Sequence, residues 1–130
     1  MTGLDTNVLV RYLAQDDDAQ LRAVLALLLK KGATYFVPDL VLVEADWVLA
    51  SLYDWTPDEI AEAFGRLLTV HNLAFEDEGR IRASLRAVRQ GADLSDELIV
   101  DRCRETGCKS VATFDAAMAK RHQGFARIPG

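Results

Sequence analysis

Met1-Thr2-Gly3-Leu4-Asp5-Thr6-Asn7-Val8-Leu9-Val10-Arg11-Tyr12-Leu13 decides the fold class. A brief apolar opening, Met1 to Leu4, ends at an acid. Thr6 and Asn7 are cap-type residues, and Val8, Leu9, Tyr12 and Leu13 then recur at helical spacing. A strand that runs straight into a helix is the first half of a β-α-β unit, and the rest of the chain repeats the alternation. Asp16-Asp17-Asp18 puts negative charge at the start of a second helix, with Lys30-Lys31 at its end and Gly32 just beyond, as the helix dipole and C-cap rules favour. Thr34 to Val37 reads as a strand stopped by Pro38, and Asp39 to about Leu52 as a strongly apolar helix. Thr56-Pro57-Asp58-Glu59 is a capping box with proline at the first helical position, followed by Ile60, Ala63, Phe64, Leu67 and Leu68. Leu73-Ala74-Phe75 is a strand, Asp77 to about Arg89 a helix, and Gln90-Gly91-Ala92 a break. A helix capped by Asp93 or Ser95 ends before Gly107. Ser110 to Phe114 is a strand, Asp115 to about His122 a short helix, and Phe125 to Ile128 an edge strand. The expectation is an α/β protein with a mostly parallel sheet.

The chain has 130 residues, 50% of them apolar and 27% charged, with no repeat and no low-complexity tract. That profile fits one compact soluble domain over 1–130, large enough to build a core without a disulfide or structural metal. Cys103 and Cys108 match neither a CxxC pair nor a zinc ribbon and are expected to be reduced core thiols. The start of the chain lacks a basic leader, and the longest apolar run, Ala23 to Leu29, is far too short to span a bilayer, so a cytoplasmic protein away from membranes is expected. Fifteen Lys and Arg against 20 Asp and Glu give a formal charge of -5, the reverse of the usual nucleic-acid footprint.

That acidity has a pattern. Asp5 and Asp115 each follow a short apolar run, at the carboxyl end of a strand, where ligands bind in open parallel sheets. A helix N-cap is the plain alternative for each. Glu44 shares a helix face with Leu40, Val41, Trp47 and Val48, which places a carboxylate in an apolar stripe. It therefore wants a cation or a partner such as Arg11. Asp46, on another face, reads as an ordinary solvated charge. Asp96 lies in the first turn of its helix, three residues after Asp93, a spacing that also resembles a capping box. Together, Asp5, Glu44, Asp96 and Asp115 offer four hard oxygen donors with no adjacent His or Cys, a set suited to Mg2+ or Mn2+. Without those four the formal charge is -1, so the acidity is local. Arg82, Arg86 and Arg89 line one helical face, which is either a solvated face or a contact for phosphates.

Leu4-Asp5-Thr6-Asn7-Val8-Leu9, Val43-Glu44, Asp93-Leu94-Ser95-Asp96-Glu97-Leu98-Ile99 and Thr113-Phe114-Asp115 resemble, in order and spacing, the motifs of PIN-domain nucleases, particularly the VapC-like toxins of bacterial toxin-antitoxin systems. The resemblance covers essentially the whole chain. It implies a central parallel sheet of about four to five strands flanked by helices, and an Mg2+- or Mn2+-dependent endoribonuclease. It also implies a homodimer and a cognate antitoxin that blocks the cleft. Carried over by position, Asp5, Glu44, Asp96 and Asp115 are the metal-binding acids, and Thr6, Asn7, Asp93 and Thr113 orient them. Glu97 departs from the family, which more often has a small residue there, and is a candidate extra ligand. His71 and His122 look dispensable, since metal-activated water needs no protein nucleophile.

Two rival readings follow from the same residues. A phosphatase-type α/β hydrolase also places Asp after its first strand, but uses a DxD pair, and here Asn7 holds the second position. A non-catalytic interaction module would use the acids as helix caps and the apolar faces as an interface.

Overall fold

The computed structural model describes all 130 residues. Seven helices alternate with five short strands: β1 (Thr2–Gly3), α1 (Thr6–Ala14), α2 (Asp18–Leu28), β2 (Tyr35–Val37), α3 (Asp39–Leu52), α4 (Pro57–Leu67), β3 (Leu73–Phe75), α5 (Glu78–Val88), α6 (Leu94–Thr106), β4 (Val111–Ala112), α7 (Ala116–Arg121) and β5 (Ala126–Arg127). Local chemistry sets the helix starts. Asp5, Asp17, Thr56, Asp77, Asp93 and Asp115 each cap a helix through a side-chain oxygen. The Thr56–Glu59 capping box forms in full: Thr56 N–H donates to Glu59 Oε1 at 2.9 Å and Glu59 N–H to Thr56 Oγ1 at 3.1 Å.

β2 is the centre of a parallel sheet ordered β1-β2-β3, with Thr2 opposite Tyr35 and Tyr35 opposite Leu73. Tyr35 and Val37, on one face of β2, are buried, and Phe36, on the other, is half-buried, as in a strand covered on both faces. β4 and β5 pair in parallel with each other as a separate two-stranded sheet. This corrects the expected single sheet of four to five strands. The reason lies in strand length and in the core. β1 and β4 are two residues each, too short to ladder firmly to one another. β4 and β5 instead close over a small cluster of their own, Val100, Met118, Phe125 and Ala126, distinct from the main core.

That main core gathers Leu9, Tyr35, Leu42, Leu49, Phe64, Leu67 and Ile81, joining α1, β2, α3, α4 and α5. Ion pairs tie the periphery. Asp39 and Glu76, the acids that follow β2 and β3, are held by Arg80 of α5 and Arg102 of α6. Tyr53 OH bridges α3 to the α1–α2 turn, accepting from Arg11 Nη1 at 2.7 Å and donating to Asp16 Oδ2 at 2.8 Å. Arg11 is thus committed to Asp16, Gln20 and Tyr53, and is not the partner of Glu44. No helix is long and apolar enough to cross a membrane.

Candidate metal-binding acid site

Acids come within one to three residues of the ends of four strands: Asp5 after β1, Asp39 after β2, Glu76 and Asp77 after β3, and Asp115 after β4. Asp39 and Glu76 are neutralised by arginines, whereas Asp5 and Asp115 have no ion pair. Asp5 and Asp115 therefore carry uncompensated negative charge, and Asp39 and Glu76 do not.

Asp5 caps α1, with Oδ1 accepting from the Val8 N–H at 3.1 Å. Asp115 caps α7, with Oδ1 accepting from Ala117 N–H at 2.9 Å and Met118 N–H at 3.1 Å. The capping role is real, yet it occupies one oxygen of each carboxylate. Thr113 Oγ1 accepts from the Asp115 N–H at 3.0 Å, and Asp93 Oδ1 accepts from the Asp96 N–H at 3.2 Å. Thr113 and Asp93 thus fix the backbone at Asp115 and Asp96. Thr6 and Asn7 make no side-chain hydrogen bond.

Asp96 is the electrostatic centre. Its carboxyl is raised above the ordinary carboxylate value, first by burial, then by the charge of Asp93, by the charge of Asp115 and a hydrogen bond to it, and by Glu97. Asp96 and Asp115, remote in sequence, are therefore neighbours in space. No three of the chain's His, Cys, Asp and Glu side chains converge tightly enough to hold a metal ion as they stand. Asp5 and Glu44 are not among the main influences on Asp96.

Glu44 corrects one expectation directly. Leu40 and Trp47 are 78% and 63% exposed, and the face that Glu44 shares with them points to solvent. The buried stripe of α3 is Leu42, Ala45 and Leu49. Because α3 is apolar nearly all round, periodicity did not distinguish its two faces. The acid of α3 that turns inward is Asp46, read from sequence as a solvated charge. Its carboxyl is pushed up to about 6, chiefly by burial and then by the charge of Asp93.

Glu97 is 5% exposed, with His122 Nε2 2.7 Å from Oε2 and Arg121 Nε 3.9 Å from Oε1. The His122 contact is close but off the line of a hydrogen bond. Glu97 is thus engaged with the end of α7, which argues against a free extra ligand, and His122 is not a bystander. Sequence gave no signal for this pair, which lies 25 residues apart across a loop and a strand. Arg82, Arg86 and Arg89 are exposed on α5 and border a shallow depression of about 190 Å3 against Ala61, Gly65 and Leu68.

Asp96 and Asp115 suit a hard divalent cation by their chemistry, being oxygen donors of like charge brought together with no cationic side chain paired to either. Short strands feeding capped helices, with acids free of ion pairs after β1 and after β4, define an α/β fold with an acidic candidate site beyond its strand ends. The chain matches the PIN domain family over residues 4–123 and belongs to it. PIN domains are generally nucleases and usually bind divalent metals. Comparison with curated proteins gives no match.

Proposed function

We propose that this chain is an endoribonuclease dependent on Mg2+ or Mn2+, acting as the toxin of a VapBC-type toxin-antitoxin pair. The observation that carries the reading is the position of Asp96. It is partly buried, meets Asp115, faces Asp93, and has no arginine, lysine or histidine in ion-pair reach. A fold rarely leaves such repulsion standing without use, since perturbed carboxylates cluster at functional sites.

Asp5, Glu44, Asp96 and Asp115 supply the oxygens that would hold the cation. A divalent ion there supplies positive charge at a scissile phosphate and acidifies water for attack on phosphorus. The protein's own share is positioning. The Asp93 and Thr113 hydrogen bonds fix the backbone from which Asp96 and Asp115 project, and helix N-termini at Asp5, Asp93 and Asp115 favour anionic groups beside them. Arg82, Arg86 and Arg89 contact phosphates of the RNA away from the reacting bond. With a near-neutral surface elsewhere, RNA is recognised by shape or exposed single strand rather than by bulk charge.

The same reading includes a single domain over 1–130, a cytoplasmic location, a homodimer and an antitoxin that covers the cleft. The exposed Leu40 and Ile99, which line one depression with Val43 and Leu98, support a protein partner, because large apolar side chains grouped at a surface favour association.

The test is cleavage of a mixed structured RNA pool by purified protein with Mg2+ or Mn2+, then with chelator, beside Asp96→Asn. Metal-dependent cuts that vanish in the variant are expected. Cleavage that persists in chelator, or in folded Asp96→Asn protein, overturns the carboxylate-metal assignment. Hydrolysis of small phosphate esters without RNA cleavage favours a phosphatase instead.

A further inference from the structure

The end of α6 brings two cysteines together. Gly107 takes the left-handed conformation at φ 92°, its N–H donating to Arg104 O, and the next N–H, of Cys108, donates back to Cys103 O at 3.0 Å. This is the double hydrogen bond of a Schellman cap. Its first and last residues normally place two apolar side chains in contact. Here both positions are cysteines. A 3.0 Å bond from the backbone N of one residue to the carbonyl O of the other keeps their Cα atoms within about 7 Å, the span a disulfide can bridge.

Packing alone does not account for the pair. Cys108 is exposed, so it fills no core, and Cys103 is half-buried against the small cluster of Val100, Met118, Phe125 and Ala126. The expectation of two core thiols is therefore corrected at Cys108. Two sulfurs without a third donor do not make a closed metal site. What they do make is a dithiol with one accessible member.

We propose that Cys103 and Cys108 form an oxidative modification site, closing to an intramolecular disulfide in the presence of a peroxide or a small-molecule disulfide. With a peroxide, the exposed Cys108 thiolate attacks one peroxide oxygen and becomes a sulfenic acid, releasing water. The Cys103 thiol then loses its proton and attacks the Cys108 sulfur, expelling a second water. Two thiols and one peroxide give one disulfide and two waters. Burial pushes the Cys103 thiol up and the adjacent Cys108 adds to it, which makes Cys103 the resolving partner rather than the first to react.

The experiment treats the full chain with hydrogen peroxide, and separately with glutathione disulfide. Alkylation of remaining thiols and intact-mass measurement follow. The expected product is a monomeric chain lighter by two hydrogens, with no alkylatable thiol, restored by dithiothreitol, and mapped to a Cys103–Cys108 link after digestion. Cys103→Ser should instead accumulate a sulfenic acid or glutathione adduct at Cys108, and Cys108→Ser should react far more slowly, with folding of both checked by circular dichroism. Should the wild-type chain end with two independently modified thiols, or with a dimer linked through Cys108, the pairing is wrong. A mass unchanged under both oxidants overturns it as well.

Discussion

Glu97 Oε2 lies 2.7 Å from His122 Nε2, which ties the first turn of α6 to the end of α7. Both side chains are largely buried; Glu97 adjoins Asp96 in sequence, and His122 ends the helix that Asp115 begins. The contact braces the two elements whose carboxylates meet.

Removing one partner leaves the other buried and poorly matched. Glu97→Ala is expected to cost about 2–3 kcal/mol in chemical denaturation, and His122→Ala a similar amount. The double variant should cost clearly less than the sum of the two, because each single change already breaks the contact. Additive losses would show that the two residues act independently.

A second network permits a sharper contrast. Arg80, with its side chain 7% exposed, reaches Asp39 through Nη2 and Glu105 through Nη1, while Arg102 reaches the same Asp39 from a half-exposed position. Arg80→Ala removes the more buried of the two arginines on Asp39, leaving only the half-exposed Arg102, and is expected to lose about 2–3 kcal/mol. Arg102→Ala should lose no more than about 1 kcal/mol, as an exposed pair does. Arg80→Lys should not restore stability, since a single ammonium cannot present the two-pronged geometry. Urea unfolding of the three variants checks the order, and equal losses at the two arginines would contradict it.

These two networks mark where sequence reading stops. Helix starts were legible, because a cap is a local event: Thr56–Glu59, Asp77, Asp93 and Asp115 all sit where the sequence places them. The five strands were legible too, from turn residues and short apolar runs. Their grouping was not, because whether β4 joins β1 or β5 depends on tertiary packing of Val100, Met118 and Phe125 rather than on any residue within the strand. Among the acids, Asp96 and Asp115 were identifiable by motif and lie together, while the inward face of α3 was misread. With apolar residues all round that helix, spacing puts Glu44 in the apolar stripe and reads Asp46 as solvated, whereas burial falls on Asp46.

Asp46 supplies the pH dependence. Its folded carboxyl, at about 6, lies above the ordinary value of 3.8, so the folded state binds the proton more tightly than the unfolded chain. Its contribution therefore favours folding below pH 4 and is lost as pH rises toward 6. Above that, the ionised group opposes the fold, partly relieved by solvent. Asp46→Asn, tested in chelator, should raise the melting temperature at pH 7.5 and leave it nearly unchanged at pH 4. An equal rise at both would mean that ionisation is not the cause.

Arg82, Arg86 and Arg89 decide whether α5 touches RNA. The three are exposed, and Arg82 is only loosely paired with Glu78, 3.9 Å away and one helical turn back, so replacing them with Ala should leave stability within about 0.5 kcal/mol. If each neutralises a phosphate of single-stranded RNA, the slope of log affinity against log salt should fall by about 0.7 per arginine, or about 2 for the triple variant. Binding measured with catalytically silent Asp96→Asn protein across a salt series separates this contact from cleavage. An unchanged slope would identify the stripe as a solvated face and move RNA recognition to the acid site and the elements around it.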